Sequence, residues 1–348
     1  MSLEIKEILE SLGYKLYDRG KFWQTNALFR DGDNKTAIQI YKDTGVWKDH
    51  VQDTNFMKFE VLVKKTLGTN NKLEIKKYLK GNTFNSLENR KEPSQRIEME
   101  KTFDKDILKE LLPHYKFYND KGISNSVLKF FKSGFSTHGS MNKRFVFPIF
   151  NINDEIHGLA GRDMISQENR PKWKHVGKKS NWIYPAFLKN KDGKNIASII
   201  EDCKEVILVE SIGDLLSLHE NGYKNVLVTF GLEISSALIY FLSSISLQKI
   251  ILSFNNDGDK DENRGLNACI KNYLKLLKVF DCNLIKICLP TKNDFGEMSS
   301  DDYEAWNNKL NKVKELNQQS KIISLSNSLF KRGKLSQGIM NNIKYING

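Results

Sequence analysis

Cysteine is scarce in this chain. Four occur among 348 residues, Cys203, Cys269, Cys282 and Cys288; the first 202 residues hold none, and no two form a C-x-x-C pair. That spacing argues against a disulfide framework and gives no zinc-ligand pattern, so no zinc is expected and the cysteines are read as small buried residues in a reducing compartment. Long apolar runs are also missing. No stretch reaches the roughly 18 apolar residues of a membrane span, and the start, MSLEIKEILESLGYK, lacks a signal-peptide pattern and reads as a short amphipathic helix. The expectation is a cytoplasmic protein with no membrane partner. A phosphate loop of the form G-x-x-x-x-G-K-[ST] is absent too: VGKKS at 176–180 lacks the upstream glycine and the required order, which excludes a helicase motor of that type. None of the twelve tyrosines stands in a context that marks a strand-cleaving nucleophile.

Acid is in short supply relative to base, with 42 Asp and Glu against 54 Lys and Arg, a net charge of +12. The excess is clustered. Residues 170–179, RPKWKHVGKK, carry five basic residues, no acid and an intervening tryptophan, and the segment 309–348 carries eight basic residues against the single acid Glu315. Cations interleaved with an aromatic ring suit a phosphate backbone and a stacked base, which points to nucleic acid. A hydrophobic fraction of 39% gives ample material for two or three domains with proper cores.

Along the chain, residues 1–81 contain short strand-like pieces, TAIQIYKD and VWKDHV around a Thr44-Gly45 turn, and then a helix over about 56–66. This reads as a small hairpin-plus-helix domain. A polar linker with Pro93 follows at 82–103. Residues 104–132 look helical; KRFVFPIF, the NIND turn and EIHGLAGRD then form a β-hairpin within a mixed α+β subdomain over 104–203. From 204 to 300 the rhythm changes. Four apolar strands, EVILVE, NVLVTF, KIILSF and LIKICL, alternate with amphipathic helices, which predicts a parallel, doubly covered α/β sheet. Residues 301–348 form a basic C-terminal segment.

Sites in open parallel sheets form beyond the carboxyl ends of the strands. Those ends carry Glu210 with Ser211, Gly213 and Asp214; then Phe230 and Gly231; then Asn255, Asp257 and Asp259; then Lys292, Asn293 and Asp294. Acids on three of four strand ends, in a basic chain, suggest hard oxygen ligands for magnesium or manganese rather than zinc; the bland reading is a set of solvated loops.

VESIGDLLSLHENG, TFGLE, the strand IILSF ending in acids, and LPTKNDFGE resemble the TOPRIM domain shared by bacterial-type primases, topoisomerases and some nucleases. The hairpin KRFVFPIFNINDEIHGLAGRDM with RPKWKHVGKKSNWIYP is similar to the region before that domain in bacterial and phage primases, so the likeness covers roughly residues 120–300. The resemblance implies catalytic acids at Glu210, Asp257, Asp259 and Asp294, of which Glu210, Asp257 and Asp259 would hold Mg2+ or Mn2+. It implies a nucleotide and template groove lined by Arg144, Arg162, Lys172, Lys174, Gly213 and Gly231. One departure stands out: Asn255 occupies the place where the family has the first acid of its pair. The pair is therefore either Asn255 and Asp257, with one charge fewer and weaker metal binding, or Asp257 and Asp259. Residues 1–81 more faintly resemble the primase zinc ribbon without its cysteines, held by Phe22, Trp23, Phe29, Tyr41 and Trp47, which serve either as core or as base-stacking platforms.

The function so implied is that of a DNA primase, in the phage-encoded single-polypeptide form. It would make short RNA primers from ribonucleoside triphosphates on single-stranded DNA by metal-dependent nucleotidyl transfer, with a separate replicative helicase as partner. The alternatives are a TOPRIM-type metal-dependent nuclease and an inactive single-strand-binding or helicase-associated factor.

Overall fold

The computed structural model describes residues 2–51, 56–69, 71, 75, 78–79, 102–166, 170–190, 192–258, 262–312 and 315–346, and the chain divides into two compact units, 1–98 and 99–348. The expected linker at 82–103 lies almost wholly outside the described residues, as does Asp259.

The first unit opens with helix α1 (Ser2–Ser11), whose Ile5, Ile8 and Leu9 share one buried face. Four antiparallel strands follow in the order of the chain: β1 (Tyr17–Asp18), β2 (Phe22–Thr25), β3 (Ile38–Tyr41) and β4 (Trp47–Asp49), and then helix α2 (Phe59–Leu67). The sequence reading found a hairpin here. That hairpin is β3 with β4; the outer strand β1 was missed because two residues are too short to show a period of two. Trp23, Ile38, Ile40 and Trp47 form the core with Phe59, Leu62 and Val63 of α2. Of the five aromatics singled out above, Trp23 and Trp47 are thus core, whereas Phe22 and Tyr41 are half-buried and meet edge to face at 6.0 Å. Beside the core, Arg30 forks onto the buried Asp49 carboxylate through Nε (3.2 Å) and Nη2 (2.9 Å), which satisfies both oxygens.

The second unit is built on two sheets. Residues 104–132, expected to be helical throughout, form a tight turn at Lys105–Leu108 and two short helices, α3 (Lys116–Asn119) and α4 (Asn125–Phe130). Pro113 and Gly122 interrupt the run, and the Ser124 hydroxyl accepts from the Val127 amide to start α4 afresh. The predicted hairpin is the middle of an antiparallel sheet, β5 (Gly134–Ser136), β6 (Arg144–Phe150), β7 (Ile156–Asp163) and β8 (Trp173–Gly177), in that order.

After α5 (Ile196–Cys203) come β9 (Glu205–Val209), α6 (Ile212–Glu220), β10 (Val226–Val228), α7 (Ser236–Ser243), β11 (Lys249–Leu252), α8 (Arg264–Leu276) and β12 (Ile285–Ile287). All four strands are parallel, in the order β10-β9-β11-β12. Both faces are covered. Ile207 and Val209 pack into the core shared with the antiparallel sheet, while Val206 and Leu208 pack into a second core with α7 and α8, which is why these strands read as unbroken apolar runs.

Helices α9 (Ser300–Lys312), α10 (Glu315–Lys331) and α11 (Gln337–Met340) complete the unit, and Ile322, Leu329, Leu335 and Ile346 enter the second core. The open edge of β12 is closed by one side chain: Gln318 of α10 accepts from the Ile287 amide (2.9 Å) and donates to the Ile285 carbonyl (3.0 Å), as a neighbouring strand would. No helix among the described residues is long and apolar enough to cross a membrane.

A candidate active site at the ends of the parallel strands

The order β10-β9-β11-β12 decides where a site can form. The connection leaving β9 runs to one side of the sheet and the connection leaving β11 to the other, so a crevice opens between the carboxyl ends of these two adjacent strands. Glu210 follows β9 and Asn255 to Asp257 follow β11. The register, Leu208 against Leu252, keeps the two ends level.

A cavity of about 470 Å³ lies over this crevice. Its floor carries Glu210, Ser211, Gly213, Asn255 and Asp294; its wall, from the antiparallel sheet and α3, carries Phe117, Lys121, Arg162, Lys172, Trp173 and His175; Phe230 and Gly231 close one end. Carboxylates thus face cations across one hollow.

Each group has a structural reason for its position. Gly231 has φ +138°, a conformation that a side chain would strain, and its amide donates to the Glu210 carbonyl (3.2 Å). The buried Asn272 amide of α8 holds the loop that follows, accepting from the Ile234 amide (3.0 Å) and donating to the Leu232 carbonyl (2.8 Å). Ser211 caps α6 and donates to Asp214 (2.7 Å), whose other oxygen accepts from the Phe295 amide (3.3 Å). The loop of Asp294 is thereby pinned beside Glu210. Asn256 ties the β11 loop to the same segment, its amide nitrogen donating to the Asn293 carbonyl (2.7 Å) and its side chain to the Pro290 carbonyl (3.1 Å). On the other side α8 starts unusually close: a Cβ on Gly265 would stand 1.7 Å from the Asn255 carbonyl oxygen, so only glycine lets the helix seat there.

The electrostatics of the floor are those of crowded acids. Burial first, then the Asp214 and Asp257 carboxylates, push Glu210 up to about 7, against the pull of Arg264 and Lys172. Asp214, fully buried, rises to about 6, chiefly from burial. On the wall, burial and then Arg162 lower the Lys172 ammonium, while Asp294 and Glu210 draw it back up. Arg162 lies between two rings, 5.6 Å from Phe117 and 5.8 Å from Trp173, and its buried Nε has no hydrogen-bond partner. Burial, then Lys179, lower His175 to about 4, so it is neutral near pH 7.

Of the residues expected from sequence, Glu210, Asp294, Arg162, Lys172, Gly213 and Gly231 line this cavity. Asp257 is buried, within electrostatic reach of Glu210. Arg144 and Lys174 are not brought here. Strand alternation is the reason: Trp173 and His175 face the cavity, so Lys174 between them faces away, and its ammonium donates to the Ser140 carbonyl (2.7 Å). Arg144 pairs with Asp163, next along β7 from Arg162, and is buried with Nη1 on the Gly161 and Pro171 carbonyls (3.1 and 3.0 Å). Phe117 and Lys121 were missed, because nothing in α3 or the turn after it marks them in sequence. Asp214 was noted at its strand end, but its anchoring of the Asp294 loop depends on a contact 81 residues away.

Among the described residues no three His, Cys, Asp or Glu side chains stand close enough to hold a metal ion by themselves. The donor set available around Glu210 and Asp257 is nonetheless made of hard oxygens, and it includes the Asn255 Oδ1, which is buried without a hydrogen-bond partner. Crowded carboxylates and an orphaned carbonyl oxygen fit a small divalent cation of the magnesium or manganese kind.

Comparison with known proteins follows the same outline. A family described as Toprim-like matches residues 207–299. The DNA primase of Staphylococcus aureus strain MSSA476 is 29% identical over 182 residues, 50% of this chain and 28% of that protein. The DNA primase of Helicobacter pylori strain ATCC 700392 / 26695 is 30% identical over 139 residues, 39% of this chain and 22% of that protein. The chain thus spans under a third of the length of these curated relatives. Among solved structures, the RNA polymerase domain of Mycobacterium tuberculosis primase DnaG shares the fold, with a TM-score of 0.50 over 67% of this chain and 86% of that domain at 14% identity.

Proposed function

We propose, for a chain whose parallel sheet is a Toprim-like domain, the activity of a DNA primase: synthesis of short RNA primers from ribonucleoside triphosphates on single-stranded DNA. The observation that carries this reading is the cavity in which Glu210 after β9 and Asp294 after β12, with Asn255 after β11, face Arg162, Lys172 and Lys121. Likeness to curated DNA primases supports it.

In this reading Arg162, Lys172 and Lys121 receive the triphosphate of the incoming nucleotide and offset its charge. The primer 3′-oxygen forms a bond to the α-phosphorus, and the bridging oxygen to the β-phosphate departs with pyrophosphate. Glu210 and Asp257, with Asp294 at the crevice edge, would hold a magnesium ion, which supplies stabilisation of the charge developing on the phosphoryl oxygens. Asp214 keeps the Asp294 loop in register with Glu210. Asp259 would join the acids if its strand end turns inward. On the other face Lys174 and Arg170 serve the template backbone. In this proposal the chain is the phage-encoded form and works with a separate replicative helicase.

The test is primer synthesis on single-stranded DNA with four ribonucleotides and magnesium, comparing the parent with Asp257→Ala. Short RNA from the parent and at least about 100-fold less from the variant is expected. Equal synthesis by both would remove Asp257 from the site, and metal-dependent DNA cutting without nucleotides would favour a nuclease.

A further inference from the structure

Three asparagines meet where β11 ends, and their bonding differs. Asn263 caps α8, its Oδ1 accepting from the Leu266 amide (2.9 Å) while its side-chain nitrogen donates to Asn256 Oδ1 (2.8 Å). Asn256 in turn donates to the Pro290 carbonyl. These two are fully occupied in holding the loops together. Asn255 is different. It lines the cavity beside Glu210 and Asp294, yet its Oδ1 is buried with no partner. An uncompensated buried carbonyl oxygen costs on the order of 1–3 kcal/mol and is rare in native proteins unless something absent from the free chain satisfies it. The surroundings keep Asn255 in place: its backbone is clamped between β11 and the first turn of α8, where Gly265 permits the close approach.

Resting on the cation-dependent reading above, we propose that Asn255 Oδ1 is a neutral ligand of the divalent cation, acting with Glu210 and Asp257. The cation is then held by a set carrying one negative charge fewer than an all-acid set of the same size. Among the described residues no three acidic or imidazole side chains stand close enough to hold an ion, and the amide oxygen adds a contact to those of Glu210 and Asp257. Affinity for divalent cations in oxygen sites follows ligand charge, so the free protein binds its ion weakly and is loaded mainly when a nucleotide's phosphates add their own charge.

The experiment is Mn2+ binding to the nucleotide-free full chain, followed by electron paramagnetic resonance of the unbound ion. Parent, Asn255→Asp, Asn255→Ala, Glu210→Ala and Asp257→Ala are compared, with melting temperatures taken with and without Mn2+. Asn255→Asp is expected to tighten binding on the order of tenfold and to enlarge the Mn2+-induced rise in melting temperature; Asn255→Ala is expected to weaken binding by about threefold to tenfold. Unchanged affinity in both Asn255 variants, with loss in Glu210→Ala and Asp257→Ala, would overturn the proposal and leave the carboxylate site standing. Unchanged affinity in all four would overturn both. The metal-free melting temperatures report separately whether any variant fails through misfolding.

Discussion

The two faces of β7 and β8 carry cations of opposite character. On one face Arg162 and Lys172 look into the cavity, and Arg162 has rings for neighbours and no ion pair among the described residues. On the other, Arg144 and Arg170 converge on Asp163, with Arg170 Nε 2.7 Å from its Oδ1, and Lys174 is taken up by a backbone carbonyl. Sequence places these residues within about thirty positions of one another and gives them the same charge. Alternation along the strands separates Arg162 from Arg144 and Lys174, while Lys172, just before β8, also reaches the cavity; one set is anchored by hydrogen bonds and partly offset by Asp163, and the other is a source of unspent positive potential. An aromatic clamp fixes a guanidinium without cancelling its charge, whereas a carboxylate fixes and cancels it.

Breaking the scaffold face has the largest expected effect. Asp163→Ala leaves two guanidinium groups beside a buried position without their counter-charge, and should destabilise the second unit by about 3 kcal/mol in a denaturant titration. A change below about 0.5 kcal/mol would show that this network is not structural. On the cavity face the effect moves from stability to catalysis. Arg162→Ala should lower primer synthesis by about 100-fold while leaving the melting temperature nearly unchanged, and Lys174→Ala should leave nucleotide use unaltered. Equal losses from the two would erase the distinction between the faces. The smallest effect sharpens the comparison through pH. A histidine in the unfolded chain binds a proton near pH 6.5, but His175, on the cavity face, does so only near 4 because of burial and then Lys179. The unfolded state therefore holds more protons between these values, so stability is intact above pH 6.5 and declines as pH falls toward 4, on the order of 1 kcal/mol after solvent screening. Melting temperatures of the parent should fall over that range more steeply than those of His175→Phe; parallel curves would assign the acid sensitivity elsewhere.

The parallel sheet was legible because its strands are buried on both faces and so write themselves as continuous apolar runs, EVILV and KIIL among them. The acids at the strand ends were legible for the same reason, since a run that stops on Glu210 or on Asn255 to Asp257 marks where the sheet reaches its crevice. The short strands β1 and β5 were not, because two or three residues carry no period. Nor was the break-up of 104–132: its apolar residues repeat in a way that suits a helix, and only the capping and turn geometry around Pro113, Gly122 and Ser124 divides it.

By itself, then, the sequence determined the alternating strands and helices of the parallel sheet, the excess of cations and the set of acids available at strand ends, all of which depend on local pattern and composition. Tertiary structure decided the rest. Strand order set β9 beside β11 and so brought Glu210 to Asn255 and Asp257, although 45 residues separate Glu210 from Asn255. Register across the antiparallel sheet chose Arg162 over Arg144 for the cavity. Close packing at Gly265 held one asparagine with its oxygen unsatisfied while its neighbours were bonded. Which of several like residues meets a ligand depends on distances between segments far apart in the chain, and a linear pattern carries no record of those.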